Sequence, residues 1–215
     1  MKNLVQSKTS SLGEEALQRF LEQCHRKQYP AKSVIIRQGD PSYELYYLIS
    51  GSVTVLYEDE KGHEIVLAYL NDEDFFGEIG LFNENSSRSA LVRAKTPCEI
   101  AQISYEKLKN MPTMFPDLLF AIASQLAMRL RKTSRKVGDL AFLDVSGRVA
   151  RAILDLCKEP DAMTHPDGMQ IRVTRQELGR IVGCSREMVG RVLKDLEERH
   201  LVAVSGKTIV VHGVR

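Results

Sequence analysis

The 215 residues include only four cysteines, Cys24, Cys98, Cys157 and Cys184, and no two of them form a CxxC pair. Scattered in this way they support neither a disulfide framework nor structural zinc. Histidine is just as sparse where a β-rich metal site would need it: between residues 29 and 104 only His63 occurs. A metal-dependent cupin-type enzyme requires several histidines and a carboxylate converging on one ion, so that chemistry lacks its ligands. No nucleophile–base pair or carboxylate dyad stands out either, and no enzymatic activity is expected. No run approaches the 18 apolar residues of a membrane span, and the opening MKNLVQSKTSS lacks the apolar core of a signal peptide. A cytoplasmic protein with neither metal nor membrane partner is the expectation.

A strong charge of one sign is missing as well. The net charge is +2, and residues 1–143 hold 18 basic and 18 acidic side chains against 12 and 10 in residues 144–215. The asymmetry is local: within 171–191 five arginines face only Glu177 and Glu187. A confined basic footprint of this kind suits a DNA-reading element.

That footprint lies on TRQELGRIVGCSREMVGRVLK, residues 174–194, which reads as two short helices joined by a tight turn. Thr174 with Glu177 forms a capping-box signature for the first helix. Gly183 ends it where a left-handed backbone is needed, and Ser185 caps the second helix. Val189, Val192, Leu193 and Leu196 fall on one inward stripe, while Glu187, Arg191 and Lys194 fall opposite and Arg186 projects from the first turn. Gly179 stands where two steeply crossing helices need a small residue. This is a helix-turn-helix pattern, whose second helix enters the major groove by its N-terminal end. Arginine pairs with guanine and glutamate accepts from cytosine N4, so the outward set can read a G·C-containing half-site. The alternative is a helical hairpin whose Glu187 and Arg191 form an ordinary i, i+4 ion pair. Downstream, LVAVSGKTIVVHG alternates around Ser205-Gly206-Lys207 and predicts the β-hairpin wing of a winged helix-turn-helix.

Upstream, residues 13–25 predict a short amphipathic helix. Six β-like runs follow between Tyr29 and Ser104: SVIIRQ, ELYYLIS, SVTVLYE, HEIVLAYL, RSALVRA and CEIAQIS, with turns at Gly39-Asp40-Pro41, Ser50-Gly51, Lys61-Gly62 and Asn71-Asp72. Spaced like this they make an antiparallel sandwich, barrel or jelly roll, and the fold class is α+β. A long helix from about 115 to 143 comes next. On it Leu119, Ile122, Leu126, Leu130, Thr133, Val137 and Leu140 follow at gaps of 3, 4, 4, 3, 4 and 3. The stripe fits pairing with a second copy, or a helix lying on its own β domain. Asp144–Gly147 reads as the hinge between domains 1–143 and 144–215. A helix Arg148–Lys158, the loop DAMTHPDG and a strand Met169–Val173 then lead into the helix pair.

The most unusual stretch of the β region is Phe75-Phe76-Gly77-Glu78-Ile79-Gly80-Leu81 followed by Asn83–Ala90. Free backbone N–H groups around Gly77 and Gly80, the Ser89 hydroxyl and the Arg88 cation suit a phosphate, and Glu78 could accept from a ribose hydroxyl. Read plainly, the same residues are two turn glycines and a solvated arginine paired with Glu78. Thr133 and Ser134 place hydroxyls on or beside the helix seam, where they can set register or reach a ligand.

GEIGLF, RSALVRAKTPCEIAQIS, KTSRKVGDLAFLDVSGRVA, PDAMTHPDGMQIRVTRQE, GCSREMVGRVLK and GKTIVVHG, read together, closely resemble the bacterial cyclic AMP receptor protein (catabolite activator protein) family of transcription regulators, notably its virulence-factor-regulator branch. The resemblance covers roughly residues 24–215. It implies a homodimer joined by the long helix, with cyclic AMP as allosteric ligand inside the β roll. It places Gly77 and Glu78 on the ribose, Arg88 and Ser89 on the cyclic phosphate, Thr133 on the adenine, Ser134 on the partner's ligand and Arg129 along the pocket. It implies palindromic TGTGA-like sites in double-stranded DNA, read by Arg186, Glu187 and Arg191. Thr174, Arg175, Gln176, Ser185 and Lys207 match the positions that hold the DNA backbone. Ala162, Met163, Thr164, His165, Pro166, Asp167 and Gly168 match a surface that touches RNA polymerase, at the C-terminal domain of its α chain. His25, Lys27 and Lys107 match a second polymerase patch. Ala68 departs from the serine of enterobacterial members near the pocket. Sensors of the same superfamily that carry iron–sulfur clusters need closely spaced cysteines, and Cys24 stands alone; a haem sensor would have only His63 or Cys98 as axial ligand.

Overall fold

The computed structural model describes residues 13–83, 87–111 and 115–214. The chain forms two compact units that divide after Thr133.

In the first unit, α1 (Glu14–Glu22) leads into β1 (His25–Tyr29), which pairs antiparallel with β8 (Cys98–Ser104). One sheet has the order β1-β8-β3-β6, with β3 at Glu44–Ser50 and β6 at Phe75–Phe76. The other has the order β2-β7-β4-β5, from Val34–Ile36, Leu91–Ala94, Val53–Glu58 and Glu64–Leu70. Side chains alternate across a strand, and β3 uses both faces. Tyr46 and Leu48 point between the sheets, where they meet Val53, Leu70, Phe76, Val92 and Ile100. Leu45 and Tyr47 point outward onto Phe20 of α1, Leu81 of α2 (Ile79–Phe82), Leu108 of α3 (Tyr105–Lys109) and Leu118, Ala121 and Ile122 of α4 (Phe115–Phe142). Residues 45–48 are therefore buried without a break, which is why this run lacks the alternation of a half-exposed strand. The antiparallel β roll expected from the sequence is present. Its β1 and β6 were not expected, because HRKQY is mostly exposed and two residues carry no period.

The long stripe on α4 has two environments. Ile122 is buried and Leu119 and Leu126 are half-buried against the roll, whereas Leu130, Val137 and Leu140 are exposed at 69%, 61% and 58%. Helix and stripe continue past the point where the units part. Residues beyond 133 group with the second unit, held by ion pairs of Arg135 with Asp155 and of Asp139 with Arg151.

The second unit corrects several expected boundaries. The helix expected at Arg148–Lys158 is α5, Val145–Leu156, because Asp144 accepts from Gly147 N–H at 2.7 Å and so caps it earlier. The expected hinge Asp144–Gly147 is thus mostly first helical turn. The expected loop DAMTHPDG contains β9 (Met163–His165), which hairpins onto β10 (Gly168–Arg172) across Pro166-Asp167. The strand expected at Met169–Val173 begins one residue earlier, with Gly168 at φ 154 and a Cβ position only 2.0 Å from the Val211 carbonyl. β10 pairs with β12 (Thr208–His212), and β12 with β11 (Val202–Ser205). Beneath this sheet, α5, α6 (Arg175–Val182) and α7 (Arg186–Glu198) enclose Val149, Ile153, Leu178, Val189, Leu193 and Ile209.

The four cysteines are free thiols. Burial pushes all of them upward in pKa, Cys24 to about 12. His63 sits on the exposed β4–β5 turn against Asp59 Oδ2 at 2.9 Å, while Cys98 is buried with its thiol on the Ser52 and Thr96 carbonyls. No helix is long and apolar enough to cross a membrane among the described residues.

Candidate ligand pocket and nucleic-acid interface

β6 delivers the chain into Gly77, whose φ of 77 turns it toward Arg88. A Cβ on Gly77 would lie 2.8 Å from Arg88 Nη1 and 3.0 Å from the Tyr46 ring, so the close approach itself requires glycine. Arg88 is only 8% exposed. Nη1 donates to the Gly77 carbonyl and to the Tyr105 hydroxyl, both at 3.2 Å, and Nη2 donates to the Glu44 carbonyl at 3.0 Å. Its guanidinium also lies over the Tyr46 ring, 5.3 Å from the centroid. No carboxylate among the described residues comes within ion-pair distance of it. A buried cation held only by neutral dipoles is costly unless an anion joins it.

Glu78, 7% exposed, faces Arg129 Nη1 at 3.5 Å, and Arg129 Nη2 reaches Asp74 at 3.6 Å and the Phe75 carbonyl. The plain reading of a solvated Arg88 paired with Glu78 therefore fails on both counts. Gln125 of α4 accepts from Phe75 N–H at 2.8 Å and donates to the Glu73 carbonyl at 2.9 Å. Together Gln125 and Arg129 fasten the long helix to the free edge of β6, directly ahead of Gly77 and Glu78. Gly77, Glu78, Arg88 and Arg129 thus occupy one neighbourhood. Ser89, Thr133 and Ser134 are exposed, and none of their side chains holds a hydrogen bond among the described residues. Glu44, Gln125 and Tyr105 escaped sequence reasoning, since nothing local marks a residue that works from 17 to 52 positions away.

The helix pair is assembled as its sequence demands. Thr174 Oγ1 accepts from Glu177 N–H at 3.1 Å and Ser185 Oγ from Met188 N–H at 3.2 Å, so each helix has one orphan donor satisfied. Gly183 adopts φ 70, ψ 48 and closes α6 onto the Gly179 carbonyl, which also accepts from Cys184 N–H. A Cβ on Gly179 would stand 2.6 Å from the Cys184 carbonyl, so the small residue makes room for the turn itself. Arg148 Nε donates to the Val182 carbonyl at 3.3 Å and Nη1 to the Leu143 carbonyl at 3.0 Å, joining the ends of α6 and α4.

Val189, Val192, Leu193 and Leu196 are buried, and Arg186, Glu187 and Arg191 are exposed. The alternative Glu187–Arg191 ion pair does not form. Arg175, Arg186, Glu187, Lys194 and Glu197 line an open concavity of about 560 Å³ that reaches Val204 of the wing. Lys207 stands exposed at the wing turn beside Gly206, φ 63, and Thr174, Arg175, Gln176 and Ser185 are exposed where the helices begin. Elsewhere in this unit Met163, Thr164, Pro166 and Asp167 are exposed and Ala162 and His165 half-buried; Asp167 N–H donates to His165 Nδ1 at 3.2 Å. In the first unit His25 and Lys27 lie exposed on β1, and Lys107 Nζ donates to the Gln23 carbonyl at 2.8 Å, bringing α3 to the foot of that strand.

A β roll with a buried arginine that meets no carboxylate among the described residues, followed by a winged helix-turn-helix, defines a ligand-responsive DNA-binding regulator. Comparison with known proteins gives the same architecture. Residues 26–112 match the cyclic nucleotide-binding domain and residues 147–214 the Crp-like helix-turn-helix domain. The chain is 61% identical over 202 residues to the cAMP-activated global transcriptional regulator Vfr of Pseudomonas aeruginosa, covering 93% of this chain and 94% of that protein. It is 58% identical over 199 residues to the cAMP-activated global transcriptional regulator CRP of Salmonella typhimurium, covering 93% and 95%. Among solved structures, the c-di-GMP responsive global regulator CLP of Xanthomonas campestris superposes with a TM-score of 0.90 at 48% identity, over 94% of this chain and all of that one. The chain belongs to the cyclic AMP receptor protein family of transcription regulators. The family is not enzymatic.

Proposed function

We propose that the protein is a cyclic AMP-dependent transcription regulator of the cytoplasm, acting as a homodimer on palindromic TGTGA-like DNA and contacting RNA polymerase. The observation that carries the ligand reading is Arg88, a buried guanidinium with no carboxylate partner among the described residues. A singly charged cyclic phosphate fits it, joined by the Ser89 hydroxyl. Gly77 and Glu78 hold the ribose, and Arg129 lines the pocket behind Glu78. The exposed half of the α4 stripe is the dimer seam, where Thr133 takes the adenine amino group and Ser134 that of the ligand held by the second copy. On this reading ligand function belongs to residues 1–143 and DNA function to 144–215.

Arg186, Glu187 and Arg191 read bases, while Thr174, Arg175, Gln176, Ser185 and Lys207 hold the DNA backbone. The hairpin from Ala162 to Gly168 meets the C-terminal domain of the polymerase α chain, and His25, Lys27 and Lys107 form a second contact patch. A second ligand reading, a cyclic dinucleotide, is favoured by the description of the structural relative CLP as c-di-GMP responsive. Isothermal titration of the purified full chain with cyclic AMP, cyclic GMP and c-di-GMP decides between them. Tight binding of cyclic AMP alone supports the proposal, and a preference for the dinucleotide overturns it.

A further inference from the structure

Tyr105 opens α3, yet its side chain is 8% exposed and its hydroxyl lies where three separate segments meet. It donates to the Gly77 carbonyl, in the turn after β6. It accepts from Arg88 Nη1 at 3.2 Å, in the segment before β7. It lies 2.8 Å from Ser42 Oγ, in the segment before β3. A phenol has one hydrogen. With that hydrogen on Gly77, Ser42 is the donor in the third bond, and the hydroxyl is fully used. Gly80 gives an independent sign of how closely this point is packed: a Cβ there would stand 2.3 Å from Ser42 Oγ and 2.8 Å from the Tyr105 oxygen. Gly80 therefore makes room for this hydroxyl cluster, a role different from the freed backbone N–H groups its sequence context suggests.

The consequence falls on Arg88. A guanidinium has five N–H groups in a fixed plane. Nη1 serves the Gly77 carbonyl and the Tyr105 hydroxyl, which lie side by side, and one N–H on Nη2 goes to Glu44. Among the described residues, the Nε–H and one Nη2–H remain uncommitted, and such a pair is the fork that grips two oxygens of one anion. We propose that Tyr105 is a positioning residue of the ligand site: its hydroxyl pins Arg88 Nη1 to the Gly77 carbonyl so that the guanidinium offers its Nε–Nη2 edge to the ligand phosphate. Tyr105 touches no ligand and acts only through Arg88 and Gly77. This rests on the reading of Arg88 as the phosphate partner.

A double-mutant cycle on the full chain tests it, with cyclic AMP affinity measured by calorimetry and folding checked by thermal melts. Arg88→Leu weakens binding at least about tenfold, and Tyr105→Phe weakens it about fivefold to tenfold. In the Arg88→Leu background Tyr105→Phe has no further effect, because there is no guanidinium left to position. A merely structural tyrosine would give multiplied losses in the double variant, and that result, or wild-type binding by Tyr105→Phe, overturns the proposal. Wild-type binding by Arg88→Leu instead overturns the phosphate reading, and the role of Tyr105 falls with it. Should Tyr105→Phe melt below assay temperature, Ser42→Ala enters the same cycle. It keeps the ring and removes only the outer donor, with a loss of about twofold to threefold expected in wild type and none in Arg88→Leu.

Discussion

Glu187 offers the sharpest test of base readout, because its removal leaves the fold almost untouched. It is the second residue of α7, exposed, and without an ion pair among the described residues. Glu187→Val therefore strands no buried donor. The stability it costs is that of one acidic side chain in a first helical turn, about 0.3–1 kcal/mol. On DNA the change is larger and selective. A carboxylate accepting from cytosine N4 contributes about 1–3 kcal/mol of discrimination, roughly fivefold to 150-fold at a single base pair. Valine offers no acceptor, so preference at that pair should collapse while the positions assigned to Arg186 and Arg191 keep theirs. Affinity for non-specific DNA should hold or rise slightly, since a negative charge beside phosphates is lost. Binding-site selection on wild type and variant, followed by competition with single-base substitutions of the half-site, reads this directly. An unchanged selected motif would refute the assignment of Glu187 to a base.

Lys207→Ala, at the wing turn, should weaken every sequence alike and lower the slope of log affinity against log salt by about one, measured by titration at several ionic strengths. Gly179→Ala forces a methyl to 2.6 Å from the Cys184 carbonyl; about 1–3 kcal/mol of destabilisation is expected, with a lower melting temperature of the C-terminal unit and weakened specific DNA binding. If nucleotide and DNA are linked through one conformational equilibrium, specific DNA raises nucleotide affinity by the factor with which nucleotide raises DNA affinity. Equal DNA affinity with and without nucleotide, at fixed salt, would remove the switch from the account.

The helix pair was legible in the sequence because its specification is local. Thr174, Ser185 and Gly183 act within a turn of their own positions, and the stripe Val189, Val192, Leu193, Leu196 follows from helix period alone. The wing and most strands of the roll were legible for the same reason, as alternation bounded by turn residues. The boundaries that slipped had a competing local cap or partner, as where Asp144 starts α5 early and where β9 pairs with β10 instead of looping.

The candidate ligand site divides along the same line. Gly77, Glu78, Arg88 and Ser89 could be picked out as an unusual stretch, but burial and partners decide whether an arginine is solvated or an anion receptor. Those are set by Glu44, Tyr46 and Tyr105, brought up by sheet pairing across tens of residues. The α4 stripe was likewise visible as a pattern, whereas only packing showed that its first part is covered by the roll and its later part left exposed. Periodicity and capping are properties of neighbours in the chain, so the sequence states them outright. Burial of a charge depends on every segment that closes around it, and only the folded arrangement of β3, β6 and α3 supplies that for Arg88.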